Sequence, residues 1–238
     1  MKKKIKTLFA PSDEPRSIGG RFRLRRFRFF EEKFLETFMG QEKIKILDVG
    51  GTENFWTNHN FLLPDRVSIT LLNLEKEKTR QENICSLSGT ATDLSQFADK
   101  SFDLVFSNSV IEHLHNYENQ KKMAEEIRRV GKKYFVQTPN KYFFLEPHYA
   151  LPLFQFFPSS LAFLILTKTK LSRMQKWDPD FARAYLQEIR LLSYGEMKTF
   201  FPDSDIYFEK FFGLNKSFVF HTLGANKKPG LAGPFVSN

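Results

Sequence analysis

IKILDVGGTENFW, residues 44–56, decides the fold. An apolar run, Ile44-Lys45-Ile46-Leu47, reaches Asp48 and then turns at Gly50-Gly51 into Thr52, Glu53 and Asn54. A buried strand that ends in an acid and a glycine turn is how a nucleotide-like ligand is held at the edge of a parallel sheet. Glycine lets backbone approach the ligand, and the N–H groups that follow point at it. A glycine pair alone does not name the ligand.

Outward from this stretch the chain alternates strand and helix. Apolar runs predict strands at 44–49, 67–74, 102–108 and 134–138, with a further one near 84–89. Between the last two, 120–130 carries Met123, Ile127 and Val130 on one face, and Gly131 stands where a helix C-cap belongs. Apolar strands alternating with helices mean a parallel sheet covered on both faces. Further on, Asp178-Pro179 predicts an N-cap and first helical position for a helix to about residue 190. Ser193-x-x-Glu196 is a capping box for the next helix, which Pro202 stops. Strands at 206–212 and 217–222 around Gly213-Leu214-Asn215-Lys216 read as a hairpin.

Length and charge bound the rest. The 238 residues fit one domain with an elaborated cap, and 28 Phe supply much of its core. Residues 1–33 hold eleven Lys/Arg against four Asp/Glu, which leaves only about +2 of the net +9 to everything after them. The basic character is an N-terminal arm, followed by a helix with Phe27, Phe30, Phe34 and Phe38 on one stripe. That helix reads either as core-facing or as a docking element for an anionic acceptor or membrane surface. Its aromatics lie on the apolar stripe instead of between the cations, which argues against nucleic acid. The start is too polar after Phe9 for a secretory signal, so the expected location is cytoplasmic, with peripheral membrane contact through the arm or cap.

The single Cys85 excludes an internal disulfide and reads as buried packing. Five His and one Cys show no ligand spacing, so no metal is expected. Residues 147–167 carry no charged side chain, but Pro147, Pro152 and Pro158 break the run into pieces too short to span a bilayer. They predict a cap over the site or an interfacial segment. The expected organisation is a basic arm and helix over 1–40, a main domain over 41–223 with a cap insertion at about 141–192, and a disordered tail from 224.

An α/β order that closes in an antiparallel hairpin, together with residues 44–56, resembles the class I S-adenosylmethionine-dependent methyltransferases, specifically the type 11 methyltransferase domain. SFDLVFSNSVIEHL, residues 101–114, carries the most specific likeness, and QTPNKYFFLEPHYALPLFQFFP, residues 137–158, is similar to a subgroup with a hydrophobic cap. The resemblance implies a doubly wound, mostly parallel seven-stranded Rossmann-like sheet and S-adenosyl-L-methionine as cofactor. It implies that Asp48 and Gly50 match the acid and first glycine of the cofactor loop. Gly51 falls between the glycine positions, and Thr52 stands where a second glycine is usual. The ribose-binding acid aligns with Asn73, with Glu75 two residues on and on the same strand face. Thr90 takes the place of the acid near the adenine amine, with Asp93 three residues later. Asn108 and Ser109 match the loop after the fourth strand, or simply cap the next helix.

Methyl transfer from a sulfonium is an in-line displacement, accelerated by holding nucleophile and methyl close and aligned. A hydroxyl nucleophile needs a base. The candidates are His148, His113, Glu146 and Glu112, with His148 first because a Pro-flanked loop over the sheet edge can aim it inward. The expected acceptor is a small molecule, glycan or lipid precursor. An RNA or protein methyltransferase and a non-catalytic cofactor-binding protein are the alternatives. Asn108-Ser109-Val110-Ile111 lacks the Pro-Pro-aromatic motif of RNA amine methylation, and Gly50 to Phe55 lacks the G-x-G-x-x-G of a dehydrogenase. Acceptor, methylated atom and oligomeric state are not readable from these residues.

Overall fold

The computed structural model describes residues 18–59, 61 and 65–224. The arm before residue 18 and the tail after 224 lie outside the described residues. Chain contacts divide the described residues into two compact units, residues 18–41 with 223–224, and residues 42–222.

In the first unit, helix α1 (Ile18–Thr37) buries the stripe Phe22, Phe27, Phe30 and Phe34, continued by Phe38 beyond its end. Successive rings from Phe27 to Phe38 lie 5.6, 5.7 and 4.9 Å apart. Spacing at i, i+3 and i+4 puts them on one face, so they stack along the helix instead of ringing it.

The second unit is built on a sheet. In chain order its elements are β1 (Ile44–Val49), α2 (Glu53–Asn58), β2 (Val67–Asn73), β3 (Ile84–Ser88), β4 (Phe102–Asn108), a 3₁₀ turn (Ile111–His113), α3 (Tyr117–Val130) and β5 (Gly131–Pro139). Then come the short strands β6 (Leu145–Glu146) and β7 (Leu151–Pro152), a second 3₁₀ turn (Phe154–Phe156), α4 (Ser159–Lys168), α5 (Pro179–Glu188), α6 (Tyr194–Phe200), β8 (Asp205–Phe211) and β9 (Leu214–His221). The seven-stranded order is β3-β2-β1-β4-β5-β9-β8, with the first five parallel and β9 antiparallel to both neighbours. The seven-stranded, mostly parallel sheet with its terminal antiparallel pair is therefore as the sequence predicts. β1 and β4 are buried nearly throughout, which is why they read as continuous apolar runs. Leu47, Val105, Ile127, Val136, Phe201 and Phe220 belong to one buried cluster, while Phe106 stacks on Phe135 at 5.3 Å and meets Trp56 at 5.1 Å.

Two of three local expectations need correction. Gly131 is the C-cap of α3, as expected, with φ −94°. It is glycine because a Cβ there would lie 2.7 Å from Val105 Cγ2. The terminal hairpin turns at Phe212-Gly213, where Gly213 has φ +80°, and β9 already starts at Leu214, so the loop is tighter than residues 213–216. Cys85 is exposed on β3, with Thr70 Oγ1 3.4 Å from its sulfur, because β3 is an edge strand and Cys85 points away from the core face.

Between β5 and α6 the chain makes an excursion closed at its base. Asn140 bridges Leu192, and the Lys141 N–H donates to the Leu192 carbonyl at 3.0 Å. The excursion has its own core of Tyr149, Phe154, Ala162, Leu166, Trp177 and Ala182. Asp178 caps α5 by accepting from the N–H groups of Asp180 and Phe181, both at 3.0 Å. Where the chain returns, the Ser193 N–H donates to Glu196 at 2.8 Å and the Glu196 N–H donates to Ser193 Oγ at 3.2 Å, the reciprocal box foreseen. Ser193→Ala should therefore lower stability by about 1 kcal/mol, read as a lower urea midpoint with an unchanged slope.

Candidate functional site

The site is the edge where the parallel strands end. β1 pairs with β2 on one side and β4 on the other, so the turns after β1 and β4 leave in different directions and open a crevice there. The turn after β1 is held from below. Asp48 is buried, and its Oδ2 accepts from the Trp56 indole N–H at 2.8 Å. Burial pushes its carboxyl up to about 7 against the opposing pull of that hydrogen bond.

Both glycines are needed by the turn itself. Gly50 has φ +78°, and a Cβ on it would lie 2.4 Å from Val110 Cγ2. A Cβ on Gly51 would fall 1.6 Å from Asp48 Oδ2, so the absence of a side chain there is what admits the carboxylate. Thr52 precedes α2 with φ −128°, an extended conformation that asks for no glycine. The next residue, Glu53, accepts from the N–H groups of Arg80 (2.7 Å) and Gln81 (2.8 Å), fastening the turn to the segment after β2.

The other predicted cofactor residues divide into two groups. Asn73, at the end of β2, donates through Nδ2 to the Gly51 carbonyl at 2.9 Å, so its amide ties two turns together. Glu75 is exposed and makes no hydrogen bond among the described residues. Asn108 ends β4, and Ser109 follows with φ 59°, unusual for a non-glycine, held by an Oγ hydrogen bond to Gln137 Oε1 at 2.7 Å. These residues share the crevice edge with Gly50 and Gly51.

Thr90 and Asp93 are joined across a tight turn, the Asp93 N–H donating to the Thr90 carbonyl at 3.2 Å. Thr90 lies just past β3 at the same edge, with its Oγ1 3.0 Å from that of Thr92. The chain then runs along α3, where the Leu94 N–H donates to Glu126 and Arg129 donates to the Leu94 carbonyl. Asp93 is thereby drawn into a cleft of about 430 Å³ beside Lys122, Glu126 and Arg129. Ser95, through its backbone and side chain, holds the Asp93 carboxyl below the ordinary range. This cleft is a polar groove on the flank of α3.

The four predicted bases do meet. The 3₁₀ turn after β4 is clamped by the Arg190 N–H donating to the Glu112 carbonyl (2.8 Å) and by Gln120 Nε2 donating to the carbonyls of Ile111 and Arg190. Glu112 is fully buried and accepts from Thr138 Oγ1 at 3.0 Å through Oε2, while its Oε1 has no partner. His113 Nδ1 lies 2.6 Å from Glu188 Oε1, and His148 Nδ1 2.7 Å from Glu146 Oε1. The two imidazoles stand edge to face with centroids 5.2 Å apart. Burial raises the Glu112 carboxyl, with His148 and His113 pulling the other way. Burial also works against the His148 cation, but the Glu146 hydrogen bond and the charges of Glu146 and Glu112 prevail and raise its pKa.

Glu146 has both oxygens engaged, the second accepting from the Tyr149 N–H at 2.7 Å. It orients His148 and is poorly placed as a base itself. Sequence reasoning missed Glu188, Thr138 and the supporting Tyr185, whose ring centroid lies 6.3 Å from that of His148. Glu188 is 75 residues from His113, and no periodicity links them. The expectation that no metal-binding group exists rested on linear spacing. Folding gathers ligand atoms of Glu112, His113 and His148 within 4.8 Å of one another.

With this geometry in view, the comparisons take their place. Residues 64–134 match the family described as Methyltransferase domain. The fold is the Rossmann-like one of class I methyltransferases, a mostly parallel seven-stranded sheet with a terminal antiparallel pair. The CurJ carbon methyltransferase superposes with a TM-score of 0.59 at 11% identity, over 95% of this chain and 59% of that one. A SAM dependent methyltransferase from Archaeoglobus fulgidus gives 0.51 at 14% identity, over 87% and 77%. A relative from Galdieria sulphuraria is 21% identical with a TM-score of 0.40, and this chain spans about half of its length, 48%. No curated protein matches the sequence. At these identities the structural neighbours speak for the fold.

The residues fit the cofactor of that fold. Glu75 offers an unengaged carboxylate at the end of β2, and the Gly50-Gly51 turn and Asn108 border the same crevice. The turn depends on Gly51, so Gly51→Ala should expel the Asp48 carboxylate from its place. The expected result is a loss of roughly 1–3 kcal/mol with a shift in Trp56 fluorescence, and unchanged emission and midpoint would show that the carboxylate does not need that space.

Proposed function

We propose that this protein transfers a methyl group from S-adenosylmethionine to an amphipathic acceptor of small-molecule, glycan or lipid-precursor type. One observation carries the acceptor class: the excursion that brings His148 to the crevice also exposes an apolar face. Phe156, Phe157, Leu161, Leu164, Leu171 and Met174 are each at least 40% exposed. From Lys168, the last residue of α4, through Lys170, Arg173 and Lys176 the chain carries no acid. Apolar side chains rimmed by cations are what an anionic, lipid-like surface attracts. No helix among the described residues is long and apolar enough to cross a membrane.

In this reading Asp48, Glu75 and the Gly50-Gly51 turn hold the cofactor, which supplies an electrophilic methyl on sulfur. Asn108 and Ser109 border both ligands. His148, aligned by Glu146, and His113, aligned by Glu188, receive the acceptor's reacting group above Glu112. The buried aromatic rings around them exclude water and fix the approach. An RNA acceptor fits less well, because the aromatic stripe of α1 is buried instead of being laid out between its cations.

Two measurements test the reading. A buried carboxyl held near 7, against an ordinary 3.8, keeps its proton in the folded state while the unfolded chain has already released it. Folding stability is therefore full below about pH 4 and falls as pH rises toward 7. Asp48→Asn should gain stability over the parent progressively across that window, yet lose at least tenfold in S-adenosylhomocysteine affinity. Undiminished affinity would remove Asp48 from the cofactor site.

For the acceptor side, Leu161→Glu with Leu164→Glu should abolish co-flotation with phosphatidylglycerol vesicles. Each Leu forfeits about 1.5 kcal/mol or more of burial, so a combined loss exceeding tenfold is expected. Flotation unaffected by the pair, or absent in the parent, would leave a soluble acceptor as the reading.

A further inference from the structure

We propose that Glu112, His113 and His148 form a binding site for a divalent cation of the zinc class. Among the described residues they are the one group of three His, Cys or acidic side chains whose ligand atoms converge, all within 4.8 Å. Two imidazoles and one carboxylate are a donor set suited to Zn²⁺ and its neighbours Co²⁺ and Ni²⁺, and less to Mg²⁺ or Ca²⁺.

Three further features point to an ion. Glu112 Oε1 is buried and has no hydrogen-bond donor, although its other oxygen is satisfied by Thr138. A bare buried carboxylate oxygen is costly, and a cation is the partner that removes the cost. Both imidazoles present Nδ1 to a carboxylate, His113 to Glu188 at 2.6 Å and His148 to Glu146 at 2.7 Å. That bond fixes the proton on Nδ1 and leaves the Nε2 lone pair for an ion, the carboxylate–histidine arrangement that supports metal ligands. Finally, three carboxylates gather around two imidazoles, while the nearby Arg173 spends its guanidinium on the backbone carbonyls of His148 and Pro147.

A tetrahedral ion at 2.0–2.1 Å from nitrogen and oxygen requires ligand atoms about 3.4 Å apart. The convergence, within 4.8 Å, reaches that by a closure of at most about 1.4 Å, and His113 can supply it: its side chain is 31% exposed on a short 3₁₀ turn. The binding does not depend on the methyl-transfer reading. Only its role does, since an ion with three protein ligands keeps a position for a donor atom of the acceptor.

The test uses the full, untagged chain freed of metal with a chelator and titrated with Co²⁺ and Zn²⁺. One equivalent of Co²⁺ with visible d–d absorption, and a Zn²⁺-dependent rise in melting temperature, are expected. Both should be lost in Glu112→Gln and His148→Ala and retained in Cys85→Ser. Glu146→Gln and Glu188→Gln should each weaken Zn²⁺ by roughly 10–100-fold. Circular dichroism shows whether each variant is folded, and the isosteric Glu112→Gln keeps the test valid if His148→Ala is not. Failure to bind one equivalent, or binding undiminished in folded Glu112→Gln, overturns the site. S-adenosylhomocysteine affinity in the same metal-free protein reports on the cofactor crevice alone, so either conclusion can fall without the other.

Discussion

The hydrogen bond from the Trp56 indole to the buried Asp48 carboxylate is the contact on which the crevice is built. It turns the acid at the end of β1 inward, and the acid can lie there only because Gly51 has no Cβ. With the carboxylate in that place, the turn is held between Asn73, which grips the Gly51 carbonyl, and Glu53, which grips Arg80 and Gln81. The ends of β1 and β2 and the segment after β2 are thus joined by polar contacts around one buried acid. A pKa near 7 is the electrostatic cost of that design, and it leaves Asp48 poised to ionise when a cationic group arrives.

The second constraint is closure of the excursion at its base. The Asn140–Leu192 bridge lets more than fifty residues leave the sheet and return without disturbing β5 or α6. Because the excursion folds around its own aromatic core, it can present Glu146 and His148 to the crevice as a rigid unit. The same construction explains its exposed apolar face. Phe154, Leu166 and Trp177 are buried within it, and the alternate positions of α4 and its flanks are left outside.

The sheet was legible because its physics is local. β1 and β4 end where the apolar runs end, and Ser193 with Glu196 forms the box its spacing announces. Errors arose where a contact across the fold decides a residue. Thr52 looked like a misfit in a glycine loop, yet its extended φ shows that the position makes no demand for glycine. Cys85 was read as buried because cysteine usually is, and only the strand order reveals β3 as an edge.

The candidate site divides along the same line. Residues immediately after a strand end, Gly50, Glu75 and Asn108, could be found from the end of the strand alone. The Glu112, His113 and His148 group could be suspected residue by residue but not as a group, since its members and their partners come from four separate segments. Linear spacing finds metal ligands only when one helix or loop carries them. Here the 3₁₀ turn after β4, the β6–β7 loop and the end of α5 each contribute. The orphan oxygen of Glu112 is the sharpest sign that this convergence has a purpose. Folding free energy is spent on burying a carboxyl group that Thr138 satisfies on one oxygen only, and a stable protein of this size has little to spare for an idle one.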